Sequence, residues 1–177
     1  MIMEYPDISV ESLSTLENMP VEQFVEDVYA SATPPERDNM LSLLVGKVYQ
    51  VAPPSERGSL LKYLMHPLGA LSLLSIANGV FARIQFQGGF YNRQARIEDL
   101  QGVRVEDVVA LAHRVQQVSL YALNGLAQML ASSPTLASSA VALILIKILS
   151  DRAKISREDD SRIRSVPHIP ERRTRPA

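Results

Sequence analysis

Residues 105–132 read VEDVVALAHRVQQVSLYALNGLAQMLAS, and this stretch decides the fold. Val105, Val108, Val109, Ala112, Val115, Ser119, Ala122, Leu126 and Met129 recur at steps of three and four, opposite a polar stripe of Glu106, His113, Gln117, Asn124 and Gln128. That period belongs to an amphipathic α-helix. Taken as continuous, the helix would be roughly 40 Å long at about 1.5 Å per residue and would form the backbone of the domain. Ser132-Ser133-Pro134 ends it, and Pro134 opens a last helix through TLASSAVALILIKILSDR.

Upstream lie two similar units, TPPERDNMLSLLVGKVYQ over 33–50 and APPSERGSLLKYLMHPLG over 52–69. Each opens on a proline pair, continues with Glu-Arg and reaches a Leu-Leu step. Proline presets φ for a first helical turn and needs no amide partner there, and Thr33 can cap the first unit. Short consecutive helices joined by tight turns follow, although two copies do not make a solenoid. A shorter helix is expected over 20–30, with Pro20 in its first turn and Phe24, Val25 and Val28 on one stripe. His66-Pro67 breaks the second unit, because the residue before proline is pushed out of the α region. The following PLGALSLLSIANGVFARI is apolar almost all round, as buried helices are.

The expected fold is all-α: a single compact bundle or array of about five to six helices, with one long central helix and a flexible C-terminal tail. Residues 1–13 form an irregular N-terminal segment, 14–153 the helical domain and 154–177 an arginine-rich tail. Leu, Val, Ile, Ala and Met build the core of the 177-residue chain, since 46% of residues are hydrophobic, only 6% are aromatic and Trp is absent. Cysteine is absent too, which removes disulfides, thiolate catalysis and Cys-based metal sites. The first ten residues carry Glu4 and Asp7 and no Lys or Arg, unlike a secretory leader, so a cytoplasmic location is expected.

The net charge of −1 hides a segregation. Residues 1–36 hold acidic side chains and no Lys or Arg, whereas 57–97 hold Arg57, Lys62, Arg83, Arg93 and Arg96 and no Asp or Glu. Fields of both signs favour head-to-tail association or a charged partner, unless the two segments lie against one another within one monomer. No charge occurs over 115–146, but Gln116, Gln117, Asn124 and Gln128 punctuate that stretch and the continuous apolar run at 140–146 is short. Burial within a bundle explains it better than membrane insertion. Any apolar face that one monomer leaves uncovered becomes a dimer interface.

Catalytic chemistry has little to stand on. His66, His113 and His168 form no metal-ligand spacing. The doublets Glu26-Asp27, Glu98-Asp99 and Glu106-Asp107 point about 100° apart on a helix and make no dyad, and the last of them complements the dipole of its own helix. No phosphate loop or nucleophile elbow occurs. No metal and no cofactor are therefore expected.

The candidate binding constellation is the irregular stretch 83–96, where Arg83, Arg93 and Arg96 stand among Phe86, Phe90 and Tyr91. Arginine with aromatics supplies protein-interface hot spots and also stacks on bases and grips phosphate. A plain crossing loop, its aromatics tucked inward, would look the same. Arg172, Arg173 and Arg175 in the tail are further candidate contacts with an anionic partner. The expected function is a non-catalytic, self-associating helical protein–protein interaction or assembly protein of adaptor type, its partner another protein or a second copy in a homo-oligomer, without membrane insertion. The alternatives are a nucleic-acid-binding regulator using loop 83–96 and the basic tail, disfavoured by the acidic first third, and more weakly a small-ligand-binding bundle or enzyme.

Overall fold

The computed structural model describes residue 20 and residues 23–87, 97–119 and 122–164. Among them every regular element is helical, so the all-α class stands. In chain order these are α1 (Phe24–Tyr29, wound as a π-helix), α2 (Pro34–Val51), α3 (Pro54–Met65), α4 (Ala70–Ser75), a 3-10 turn (Ala77–Gly79), α5 (Val80–Gln87), α6 (Ile97–Leu100), α7 (Val105–Val118), α8 (Asn124–Ser132), α9 (Pro134–Ala137) and α10 (Ala140–Arg164).

Helices α2 and α7 form the centre, with α10 laid across α2 and α8, and α3 against α6 and α7. Leu41, Val45 and Val48 of α2 meet the seam formed by Val108, Leu111 and Val115 of α7, while Ile144, Leu145 and Ile148 of α10 close the core. The close approach of α2 to α7 depends on a missing side chain. A Cβ on Gly46 would stand 2.5 Å from Val109 Cγ2 and 3.3 Å from Val105 Cγ1.

The helix starts follow the proline pairs. Thr33 stands before Pro34, and the Glu36 carboxylate reaches back to accept from both the Thr33 amide and its hydroxyl at 2.7 Å each. Those two bonds hold the Glu36 carboxyl below its ordinary pKa, the hydroxyl contributing most. At the head of α7, Asp107 does similar work by accepting the Arg104 amide at 2.9 Å.

Three expectations need correction. The first is the long central helix. The stretch 105–132 is interrupted after Val118: Ser119 is extended at φ −153°, and α8 begins at Asn124. The helical spacing survives the break because both pieces bury the same stripe, through Val115 on one side and Leu123, Leu126 and Leu130 on the other. Tyr63 pins the corner by donating to the Ala122 carbonyl at 3.0 Å. Its hydroxyl lies where a Cβ on Gly125 would be, so only glycine fits there.

The second is the all-round buried helix after Pro67. The chain divides there into α4, a left-handed corner and α5, and two α4 leucines face outward. Ile76 is extended, and Ala77, Asn78 and Gly79 all take positive φ, at 48°, 54° and 76°. Asn and Gly tolerate that region, and they end the helix.

The third concerns the stretch from residue 154, read as the start of an irregular tail. Helix α10 continues through Arg164, carried by its own charges: Lys147 and Lys154 both pair with Asp151, at 3.0 and 3.5 Å. Alternating charge at helical spacing supports an exposed helix as readily as it marks an irregular tail. The N-terminal segment 1–13 and residues 165–177 lie outside the described residues. No helix among the described residues is long and apolar enough to cross a membrane.

Candidate functional site

Two corners of one design organise the first half of the body. In the first, Arg37 donates from Nε to the Tyr29 carbonyl at 3.1 Å and from Nη2 to the Ala30 carbonyl, while its guanidinium stands 5.8 Å from the Tyr29 ring centroid. In the second, Arg57 donates from Nε to Ala52 at 2.9 Å and from Nη2 to Gln50 at 2.8 Å, with its guanidinium 5.3 Å from the centroid of Tyr49. Each arginine lies in the first turn of one helix and satisfies the orphan carbonyls at the end of the preceding one. The planar fork serves two acceptors and covers an aromatic face at once, which a lysine cannot do.

The hydroxyls of these tyrosines differ in their surroundings. Burial pushes the Tyr29 hydroxyl above its ordinary pKa, while Arg152 from α10, which hydrogen-bonds it, and Arg37 pull it back. Burial raises Tyr49 also, opposed by Arg57, but its hydroxyl has no partner.

A buried polar contact crosses the α2–α7 seam. Gln116 Nε2 donates to the Asp38 carbonyl at 2.9 Å and to Ser42 Oγ at 2.8 Å, and Ser42 Oγ itself donates to the Asp38 carbonyl at 3.0 Å. Gln116 Oε1 is buried without a partner. Helices α2 and α7 are thereby keyed in register by one amide among hydrophobic neighbours. This is a structural lock, since the Gln116 and Ser42 side chains are buried and Asp38 takes part through its backbone carbonyl.

Among the large apolar side chains left exposed in the described residues, the most exposed lies on α4. Leu71 is 84% exposed and Leu74 is 53% exposed, one helical step apart on the same face. Asn78, also exposed, follows in the left-handed corner, and Gly79 lies against Leu74, its Cβ position 3.6 Å from the Leu74 carbonyl oxygen. No Asp, Glu, Lys or Arg occurs over residues 63–82. The result is an exposed leucine pair on a helix without Asp, Glu, Lys or Arg, followed by a constrained turn.

Of the candidate residues read from the sequence, Arg83 is exposed on α5, and Phe86 falls within the same helix. Phe90, Tyr91, Arg93 and Arg96 lie outside the described residues, as do Arg172, Arg173 and Arg175 of the tail. Among the described residues no three His, Asp or Glu side chains come together as a metal site would require. The leucine pair escaped the sequence reading because an apolar run with no polar face looks buried. The signal that marks it is Asn78-Gly79, a helix stop inside that run. Comparison with protein-family models, with curated proteins and with solved structures finds no match to this chain.

Proposed function

We propose that this chain is a non-catalytic helical assembly protein of adaptor type, which associates with itself through the uncharged face carrying Leu71 and Leu74, and which works in the cytoplasm. The exposure of that leucine pair carries the reading. Fully covering a leucine is worth about 1.5–3 kcal/mol. Because Leu74 is already about half covered, the exposed part of the pair on two copies would supply roughly 4–8 kcal/mol, against an association cost of about 4–15 kcal/mol. The pair therefore supports a weak, concentration-dependent dimer, and α4 itself brings no Asp, Glu, Lys or Arg into the contact that would have to be stripped of water.

Light scattering of the full chain across a concentration series reaching well above micromolar tests this. The expected result is a mass that rises with concentration, and a Leu71→Ser/Leu74→Ser variant that keeps its helical circular-dichroism spectrum but stays monomeric. A chain that is monomeric throughout and retains no protein partner on an affinity column removes the reading.

A further inference from the structure

Asn78-Gly79 is one of two Asn-Gly steps in the chain, the other being Asn124-Gly125. This dipeptide has an intrinsic chemistry, because glycine puts no side chain in the way of its own amide nitrogen. The deprotonated Gly79 nitrogen attacks Asn78 Cγ, a new N–C bond forms, the Cγ–Nδ2 bond breaks and ammonia leaves. Water then opens the resulting succinimide at either carbonyl, giving aspartate or isoaspartate at position 78. Water is the only co-reactant.

The folded corner opposes the first step in two ways. Ring closure needs the Gly79 nitrogen and the Asn78 side chain on the same side of the Cα–C bond, and a ψ of 31° at Asn78 sets them nearly opposite. The Gly79 amide is also engaged, donating to the Ile76 carbonyl at 2.9 Å. Yet the Asn78 side chain is exposed to water, and Ala77, an L-residue with a Cβ, is held at a φ of 48°. A strained exposed turn opens locally more readily than the packed helices around it.

We infer that Asn78-Gly79 is a gated deamidation site, closed while the left-handed corner holds and modified when it opens, whose product puts a carboxylate on the uncharged face beside Leu71 and Leu74. Residues 63–82 otherwise hold no Asp, Glu, Lys or Arg. The consequence for association rests on the proposed function; the gating does not. At the second step the Gly125 amide is bonded to the Tyr63 hydroxyl, and that step provides a comparison within the same molecule.

The test incubates the full-length protein in mildly alkaline buffer, with and without urea, and follows the peptides containing 78–79 and 124–125 by mass spectrometry. Modification at 78 is expected to run at least about tenfold slower in the folded protein than in urea. Ala77→Gly relieves the strain at that residue, so it should slow the folded reaction several-fold further and leave the rate in urea unchanged. Equal rates with and without urea overturn the gating, as does an Ala77→Gly variant that modifies at the wild-type rate. Asn78→Asp, followed by light scattering, should associate more weakly than wild type. Unchanged association there overturns the effect on the face and leaves the gating measurement standing.

Discussion

Replacing Arg57 with lysine should destabilise the protein by about 1–2 kcal/mol, although charge and helix propensity are nearly conserved. The guanidinium of Arg57 does three things at once: it donates to Ala52 at 2.9 Å and to Gln50 at 2.8 Å, and it covers the Tyr49 ring at 5.3 Å. A lysine ammonium can reach one of those carbonyls. The lost charge-assisted bond is worth about 1.5–3 kcal/mol when buried and about 1 kcal/mol where, as here, the residue is part-exposed. The lost stacking adds about 0.5–1 kcal/mol. For a chain of this length such a loss lowers Tm by roughly 2–8 °C. Urea denaturation followed by circular dichroism measures it directly, with the midpoint falling and the slope unchanged. Arg37→Lys should act alike at the other end of α2, a helix of 18 residues and so roughly 27 Å long. At that separation the double variant should lose the sum of the two to within about 0.5 kcal/mol. An Arg57→Lys protein with wild-type stability would refute the claim that the fork holds this corner.

Three further outcomes follow from the buried contacts. Gln116→Met removes an unpartnered carbonyl oxygen along with two hydrogen bonds, so stability should stay within about 1 kcal/mol of wild type, whereas Gln116→Ala leaves a void and should cost about 2–4 kcal/mol; chemical denaturation separates the two. Gly46→Ala gains up to about 1 kcal/mol of helix propensity but drives a methyl into the stiff Val109 side chain, and a net loss of about 1–2 kcal/mol in the same assay is expected. Tyr29, Tyr49 and Tyr63 all have raised pKa values in the fold, so the folded protein holds their protons longer than the unfolded chain does. Their contribution is complete below the unfolded value of about 10 and is lost as pH rises past it, so melting temperature should fall on the alkaline side of pH 10 as tyrosinate absorbance grows, and Tyr49→Phe should lessen that fall.

Much of the fold was legible because its signals are local. The proline pairs start α2 and α3, α3 stops at Met65 just before His66-Pro67 although His66 itself keeps helical angles (φ −55°, ψ −44°) instead of leaving the α region, and the three-and-four spacing over 105–132 marks the helical seam. What the sequence reading lost is what period alone cannot see. A turn that returns to the same buried stripe keeps the hydrophobic phase, so the break between Val118 and Asn124 left no mark in the pattern. It was written instead in Gly125, whose missing side chain makes room for Tyr63 from α3, a contact 59 residues away in sequence at the Ala122 carbonyl. The arginine corners were half visible. Pro-Pro and Glu-Arg drew attention to both units, but Tyr29 and Tyr49 precede their arginines by eight residues and sit in the preceding helix. Setting residue 28 against residue 48 aligns Val-Tyr, Glu-Arg and the following Leu41 and Leu61 together, and that alignment identifies the tyrosines as part of the device.

The same comparison separates structure from function. Local sequence, packing and hydrogen bonding agree nearly everywhere in the described body: capped helix starts, forked arginines at helix ends, glycines where helices touch. The widest departure lies at α4 and its corner. Ala77 is held in a conformation that costs an L-residue about 1–2 kcal/mol, and on the helix before it Leu71 forgoes most of about 1.5–3 kcal/mol, and Leu74 about half of that, by facing water. Neither cost benefits the monomer, since a helix-breaking loop with polar residues at 71 and 74 would avoid both. A sequence that is locally consistent elsewhere and departs from consistency at adjacent residues does so where something other than folding constrains it. That is the physical reason to look for the partner on α4 rather than along the polar face of α7, where His113, Arg114 and Gln117 form bonds that an ordinary solvated helix surface would make.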